Sequence, residues 1–143
     1  MTTNENAPVI LKKQILINQK SDKVWKVLTD INQWKNWNSK ITVSKIQSPL
    51  SLGNLFNWKV NGTNIQSKII LLESNKSFGW TGKTFGAKAI HLWYLEETEK
   101  GTLVKVEESM EGFIIYLFKK RMNKVLEQDM TFWLECLKDE CEK

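Results

Sequence analysis

A chain of 143 residues is the length of one ordinary domain and too short for two. Its 41% hydrophobic and 26% charged residues exclude a disordered chain, and its lysines, spread along the whole sequence under a net charge of +5, argue against a nucleic-acid patch. The densest basic cluster, Lys119, Lys120, Arg121 and Lys124, reads as a solvated face. No apolar run approaches the roughly 18 residues that span a bilayer, so no stable membrane insertion is expected.

Residues 1–9 read as a flexible N-terminal segment, with no apolar stretch behind a basic start. Cys136 and Cys141 lie five positions apart in a helical segment and project in different directions, so both are expected as free thiols. That suits a reducing compartment, and a cytoplasmic location is the default. Leu11 to Asn18 reads as a first strand. Ser21 offers an N-cap, and Val24, Trp25, Val27 and Leu28 follow at helical spacing, which predicts a helix over 22–29. Asp30 is placed to cap a second short helix carrying Trp34 and Trp37.

From Ile41 the period changes to two. Phe56, Trp58 and Val60 share one face of a strand, and Asn61-Gly62 marks a hairpin before a partner strand over 65–73. Phe78 and Trp80 share a face of the next strand, which is expected to end near Gly82. Ala87, Ala89, His91 and Trp93 then fall on one face, and after a turn at Lys100-Gly101 so do Thr102, Val104, Val106, Glu108 and Met110. Short strands joined by tight turns imply an antiparallel meander.

Past Gly112 helical spacing returns over about 114–138, with Phe118, Met122, Val125, Leu126, Met130, Trp133, Leu134 and Leu137 on one stripe. Asp129 falls beside that stripe. About 25 helical residues reach roughly 37 Å, enough to cross a whole domain. The expectation is an α+β fold: one strand, two short helices, about six strands and a long final helix.

That order and several local motifs resemble the START-like, or SRPBCC, superfamily, the polyketide cyclase/dehydrase group related to the Bet v 1 allergens. The residues that carry the resemblance are Val24-Trp25-Lys26-Val27-Leu28-Thr29-Asp30 with Trp34 and Trp37, the turn and strand Gly53 to Trp58, the strand Phe78 to Gly82, and His91-Leu92-Trp93 followed by Gly101-Thr102 and Glu107-Glu108. It covers residues 10–141, taken as a single domain. The resemblance implies a helix-grip fold: a curved seven-stranded antiparallel sheet around the C-terminal helix, with a pocket for apolar ligands between them. It also implies a spread of activities, from lipid and hormone carriers through polyketide cyclases to chaperone activators, so the fold alone does not choose one.

His91 is the only histidine, and its neighbours Ala87 and Ala89 leave room beside it. It serves either as a polar ligand anchor, or a general acid/base, or as a buried ring satisfied by a neighbour. Glu108 sits on an apolar face, where its carboxylate needs a partner, and the register would bring it near His91; one slip would substitute Glu107. The pair His91 and Glu108 is the candidate catalytic set. The ligand-binding candidates are Trp58, Trp80, Trp93 and Phe56 on the strands, Trp37 on the short helix, and Met122, Leu126, Met130 and Trp133 on the long helix, besides His91 and Glu108. Each aromatic read alone is as well explained by core packing. Thr81-Gly82-Lys83-Thr84 lacks the upstream glycine of a phosphate loop, and no nucleophile elbow, dinucleotide fingerprint or metal-spaced His/Cys set occurs. No cofactor or metal is expected, and no nucleic acid. Three functions remain: binding of a small hydrophobic or aromatic molecule by a monomer or homodimer, a cyclase/dehydrase-like reaction through His91, and docking to a protein partner of the chaperone type.

Overall fold

The computed structural model describes residues 1–143. Seven strands run β1 (Val9–Ile17), β2 (Ile41–Lys45), β3 (Leu55–Val60), β4 (Thr63–Glu73), β5 (Ser77–Thr84), β6 (Ala87–Thr98) and β7 (Gly101–Glu111). They form one antiparallel sheet in the order β1-β7-β6-β5-β4-β3-β2. Between β1 and β2 stand α1 (Ser21–Thr29), a single 3₁₀ turn (Ile31–Gln33) and α2 (Trp34–Trp37). β1 and β2 are opposite edges of the sheet, so these helices carry the chain from one edge to the other, as expected from their place in the sequence.

Tight turns set the register. At the β3–β4 hairpin Asn61 and Gly62 both take positive φ, 50° and 80°, the pair a two-residue turn with the twist of its strands requires. Irregularities between Ile41 and Val43 and between Ile69 and Leu71 shift the pairing and help the sheet curve. The inner face then wraps α4 (Lys119–Cys141), whose Leu126, Met130, Trp133, Leu134 and Leu137 are buried.

Several local expectations need correction. Ser21 does not cap α1: it is the helix's first residue, and its hydroxyl donates to Glu97 at 2.6 Å. Asp30 makes no side-chain cap bond either. β5 continues past Gly82 to Thr84, because the alternation Phe78, Trp80, Gly82, Thr84 is unbroken and Gly82 pairs with Ala89. The final helix is not continuous. α3 (Phe113–Leu117) ends at Phe118, whose φ of −118° and ψ of 35° break the helical path before α4 begins. Phe113 to Phe118 is apolar on every side, so no straight helix could keep both Ile115 and the stripe from Met122 onward against the sheet. Residues 1–8 precede the ladder yet dock on β7: the Asn4 backbone N–H donates to Ser109 Oγ at 3.0 Å, and Thr3 is buried. No helix is long and apolar enough to cross a membrane.

Candidate functional site

A cavity of about 410 Å³ lies between the inner face of the sheet and α4. It exists because of what the sheet does not fill. Gly82, Ala87 and Ala89 supply a patch with almost no side-chain volume, where the flanking positions of the same strands carry indoles. A Cβ built on Gly82 would make only ordinary contacts with Ile65 and Ala89, so the glycine leaves space rather than relieving a clash. Val60 and Ile65 extend the sheet wall, and Met122, Val125, Leu126 and Met130 close the helix side. Fifteen of its 24 lining residues are hydrophobic, which makes the space suited to an apolar molecule.

The inner end is a cluster of aromatic rings. Trp58, Trp80 and Trp133 line the cavity, and Trp34 of α2, fully buried, packs behind them with ring centroids 5.8, 5.1 and 5.2 Å away. These rings meet mostly edge to face, the favoured arrangement for aromatic quadrupoles. Two indoles in the cluster have satisfied N–H groups: Trp34 donates to the Leu28 carbonyl at 2.8 Å, and Trp58 to Ser67 Oγ at 2.9 Å.

Beside this cluster stands the cavity's one ionisable pair on the sheet. His91 and Glu108 face each other on adjacent strands β6 and β7, and His91 also pairs with Trp80 on β5. His91 Nδ1 lies 2.5 Å from Glu108 Oε1, with the two residues 6% and 8% exposed. Both line the cavity. A carboxylate only accepts, so the pairing assigns the ring hydrogen to Nδ1. His91 Nε2 is buried without any hydrogen-bond partner, and so is the Nε1 of Trp133. The register that would have substituted Glu107 is not the one adopted: Glu107 points to the outer face, 3.7 Å from Lys12 Nζ.

At the outer end Asp129, on α4, accepts from Lys40 Nζ at 2.9 Å and from Asn61 Nδ2 at 2.8 Å. This clasp ties the helix to the β3–β4 hairpin at the rim. Phe85, Ile114 and the buried Ile115 also line the cavity. There Gly86 (φ 71°) accepts from the Ile114 N–H at 3.2 Å, which fastens α3 to the β5–β6 turn. No three His, Cys, Asp or Glu side chains converge in a way that would hold a metal.

Of the residues singled out from the sequence, the structure brings Trp58, Trp80, His91, Glu108, Met122, Leu126, Met130 and Trp133 to the cavity wall. It does not bring Trp37, Phe56 or Trp93 there. Phe56 is packed under Trp34, and Trp93 stacks behind His91 at 5.3 Å with the rings 9° from parallel. Trp37 is half-buried at the margin of the core, while Trp34, one turn earlier, takes the inward position. Among the residues missed were Gly82 and Ile65, signalled by alternation with Trp80 and pairing opposite Trp58, and the rim clasp of Asp129, which no local pattern announces.

A model of the family described as "Polyketide cyclase / dehydrase and lipid transport" matches residues 8–142. No curated protein matches the chain. Among solved structures, a hypothetical protein from Helicobacter pylori, jhp0584, is similar with a TM-score of 0.85 at 14% identity, over 96% of this chain and 90% of that one. A START superfamily protein from Mycobacterium smegmatis gives 0.80 at 13% identity, over 93% and 97%. The di-domain ARO/CYC protein StfQ from the steffimycin biosynthetic pathway gives 0.79 at 12% identity, over 94% of this chain and 50% of that one. At these identities the likeness is one of fold, and it is the helix-grip fold.

Proposed function

The chain belongs to the polyketide cyclase / dehydrase and lipid transport family, and we propose that it binds one small hydrophobic or aromatic molecule in the cavity between sheet and helix. The observation that carries this reading is the cavity itself, about 410 Å³ walled by indoles and aliphatic side chains beside a glycine–alanine patch that nothing fills. Removing roughly 200 Å² of apolar ligand surface from water contributes about 5 kcal/mol before association costs. The reading takes the ligand as the required partner of a monomer or homodimer, and the free thiols Cys136 and Cys141 suit the cytoplasm.

The test is thermal unfolding with a panel of two-ring aromatic probes, paired with native mass spectrometry for stoichiometry. A ligand at a hundred times its Kd adds about 2.7 kcal/mol to the folded state, which raises the midpoint by roughly 5–10 °C in a chain of this size. One bound probe per chain with such a rise is expected. No stabilisation by any probe would count against the reading.

A second reading, proton transfer of the cyclase/dehydrase kind, is favoured by one observation: a His–carboxylate pair, His91 Nδ1 to Glu108 Oε1 at 2.5 Å, stands in the cavity wall. StfQ is a similar fold described as an ARO/CYC protein. On this reading Nε2 takes a proton from a bound substrate and Glu108 stabilises the imidazolium. Unchanged turnover of an identified substrate by His91→Ala would remove the histidine from that role.

A further inference from the structure

Of the ten large hydrophobic side chains that stay exposed, five gather where the last strands meet the final helices. Phe85 stands at the β5–β6 turn, and Phe113, Tyr116, Leu117 and Phe118 lie in α3 and just after it. Phe85 is 81% exposed and Leu117 72%. The rings of Phe85 and Phe113 meet edge to face with centroids 5.6 Å apart, which joins turn and helix into one patch. Ile115 is the buried residue of α3, and the Ile114 N–H donates to the Gly86 carbonyl, so the outward side chains stand on a fixed support. Phe85 and Ile114 also line the cavity, so the patch adjoins it. A contiguous apolar surface with a polar border marks a place that something else covers.

The border is cationic. Lys83 and Lys88 pair across the β5–β6 hairpin just behind Phe85, and Lys119, Lys120, Arg121 and Lys124 open α4 directly after Phe118. All six are exposed, and none forms an ion pair. The acidic residues nearest to them in the chain are engaged elsewhere: Glu111 accepts from Asn4 Nδ2 at 2.6 Å, and Glu127 pairs with Lys13. We propose that this face docks on an anionic bilayer surface, lying on the membrane rather than crossing it. Aromatic rings and a leucine enter the headgroup level, and the lysines and the arginine meet the lipid phosphates. A second copy of the chain fits the face poorly, because a two-fold contact would set the same six cations against themselves. Docking of this face does not require the cavity to hold a ligand.

Co-sedimentation of the full chain with phosphatidylcholine vesicles, with and without about one-third phosphatidylglycerol, tests this. Binding is expected on the anionic vesicles and about tenfold weaker or less on the neutral ones, since each cation near such a surface contributes roughly a fivefold factor. Added salt is expected to weaken the anionic binding. Tyr116→Ser/Leu117→Ser removes two exposed side chains that neither line the cavity nor join the core. It is expected to weaken binding about tenfold or more while the melting curve stays unchanged. Lys119→Gln/Lys120→Gln/Arg121→Gln is expected to lose most of the preference for anionic vesicles. No binding to anionic vesicles, equal binding to both kinds, or binding that survives the Tyr116 and Leu117 changes would overturn the proposal. So would a dimer of the free chain that those two changes dissolve, because a second copy would then cover the face. Each of these results leaves the cavity reading standing, since binding of aromatic probes is measured without vesicles.

Discussion

His91 Nδ1 and Glu108 Oε1 meet at 2.5 Å across a single rung of the β6–β7 ladder, both side chains buried in the wall of an apolar cavity. Such a pair contributes little to stability if both members are exchanged together, because its Coulomb gain offsets the cost of taking two charged or polar groups out of water. Its strength is specificity: with one partner gone, the other is left buried and unpaired.

That asymmetry gives the first prediction. Glu108→Leu removes the acceptor of the His91 Nδ1–H and is expected to cost about 1–3 kcal/mol. The double variant His91→Phe/Glu108→Leu is expected to return to within about 1 kcal/mol of the parent. Urea unfolding measures both. A double variant less stable than Glu108→Leu alone would contradict the pairing.

Filling the empty patch should separate stability from binding. Ala89→Phe places a ring into space that is already vacant, so the thermal midpoint is expected to stay within about 5 °C of the parent. Bound aromatic probe is expected to be lost entirely. The comparison needs only a melting curve and one binding isotherm.

Gly112 precedes α3 at φ 120°, and a Cβ there would run into the backbone carbonyl of Gly86. Gly112→Ala is therefore expected to destabilise by about 2 kcal/mol or more, from strain and from the clash together. In a chain of this length that lowers the midpoint by roughly 4–8 °C. The same change in Gly62, where nothing stands within 4 Å, meets only the conformational penalty and is expected to cost less.

Burial pushes the Cys141 thiol up from 9.0 to about 12, with Glu140 and Glu142 adding to the effect against Lys23. Below pH 9 the thiol is neutral folded or unfolded and contributes no pH dependence. Between 9 and 12 the unfolded chain loses this proton while the folded chain keeps it, so stability falls as pH rises. Tyr94, raised by burial and by Glu107 and Glu73, acts in the same direction from 10.0 upward. Unfolding free energies from pH 8 to 10.5 are expected to decline, less steeply in Cys141→Ala. At pH 8 an alkylating reagent is expected to modify the half-buried Cys136 and to reach Cys141 only after unfolding.

The rim clasp supplies a kinetic prediction. Asp129→Ala frees Lys40 and Asn61 and is expected to cost about 1 kcal/mol, since the pair is partly exposed. Dissociation of a bound probe is expected to quicken, because α4 is no longer held to the β3–β4 hairpin at the opening. Stopped-flow displacement reads that rate directly.

The architecture was legible because period-two alternation over β3 to β7 and a helical stripe over α4 each name a face. Alternation assigns Trp58, Trp80, His91 and Glu108 each to one face of its strand and leaves Glu107 as the alternative to Glu108. The adopted register makes that face the inner one and brings His91 and Glu108 together. What alternation does not give is position along the cavity's axis. Phe56 and Trp93 share faces with Trp58 and His91, yet each lies one step toward the closed end, where Trp34 and Trp80 fill the space. The break at Phe118 was hidden because a segment apolar on all sides fits a helix in any rotation. Gly82 looked like a strand's end, since a glycine in a strand reads as punctuation until its partner across the ladder proves equally small. The Lys40–Asp129–Asn61 clasp joins three elements far apart in the chain, and no local signal records it.

The most direct measurement is a crystal structure of the protein grown with 2-naphthol. Density for one probe against the Gly82, Ala87 and Ala89 patch, beside Trp80 and Trp133 and under Met122 and Met130, is the expected result. No probe inside the cavity, or a probe bound only on the outer surface, would contradict it.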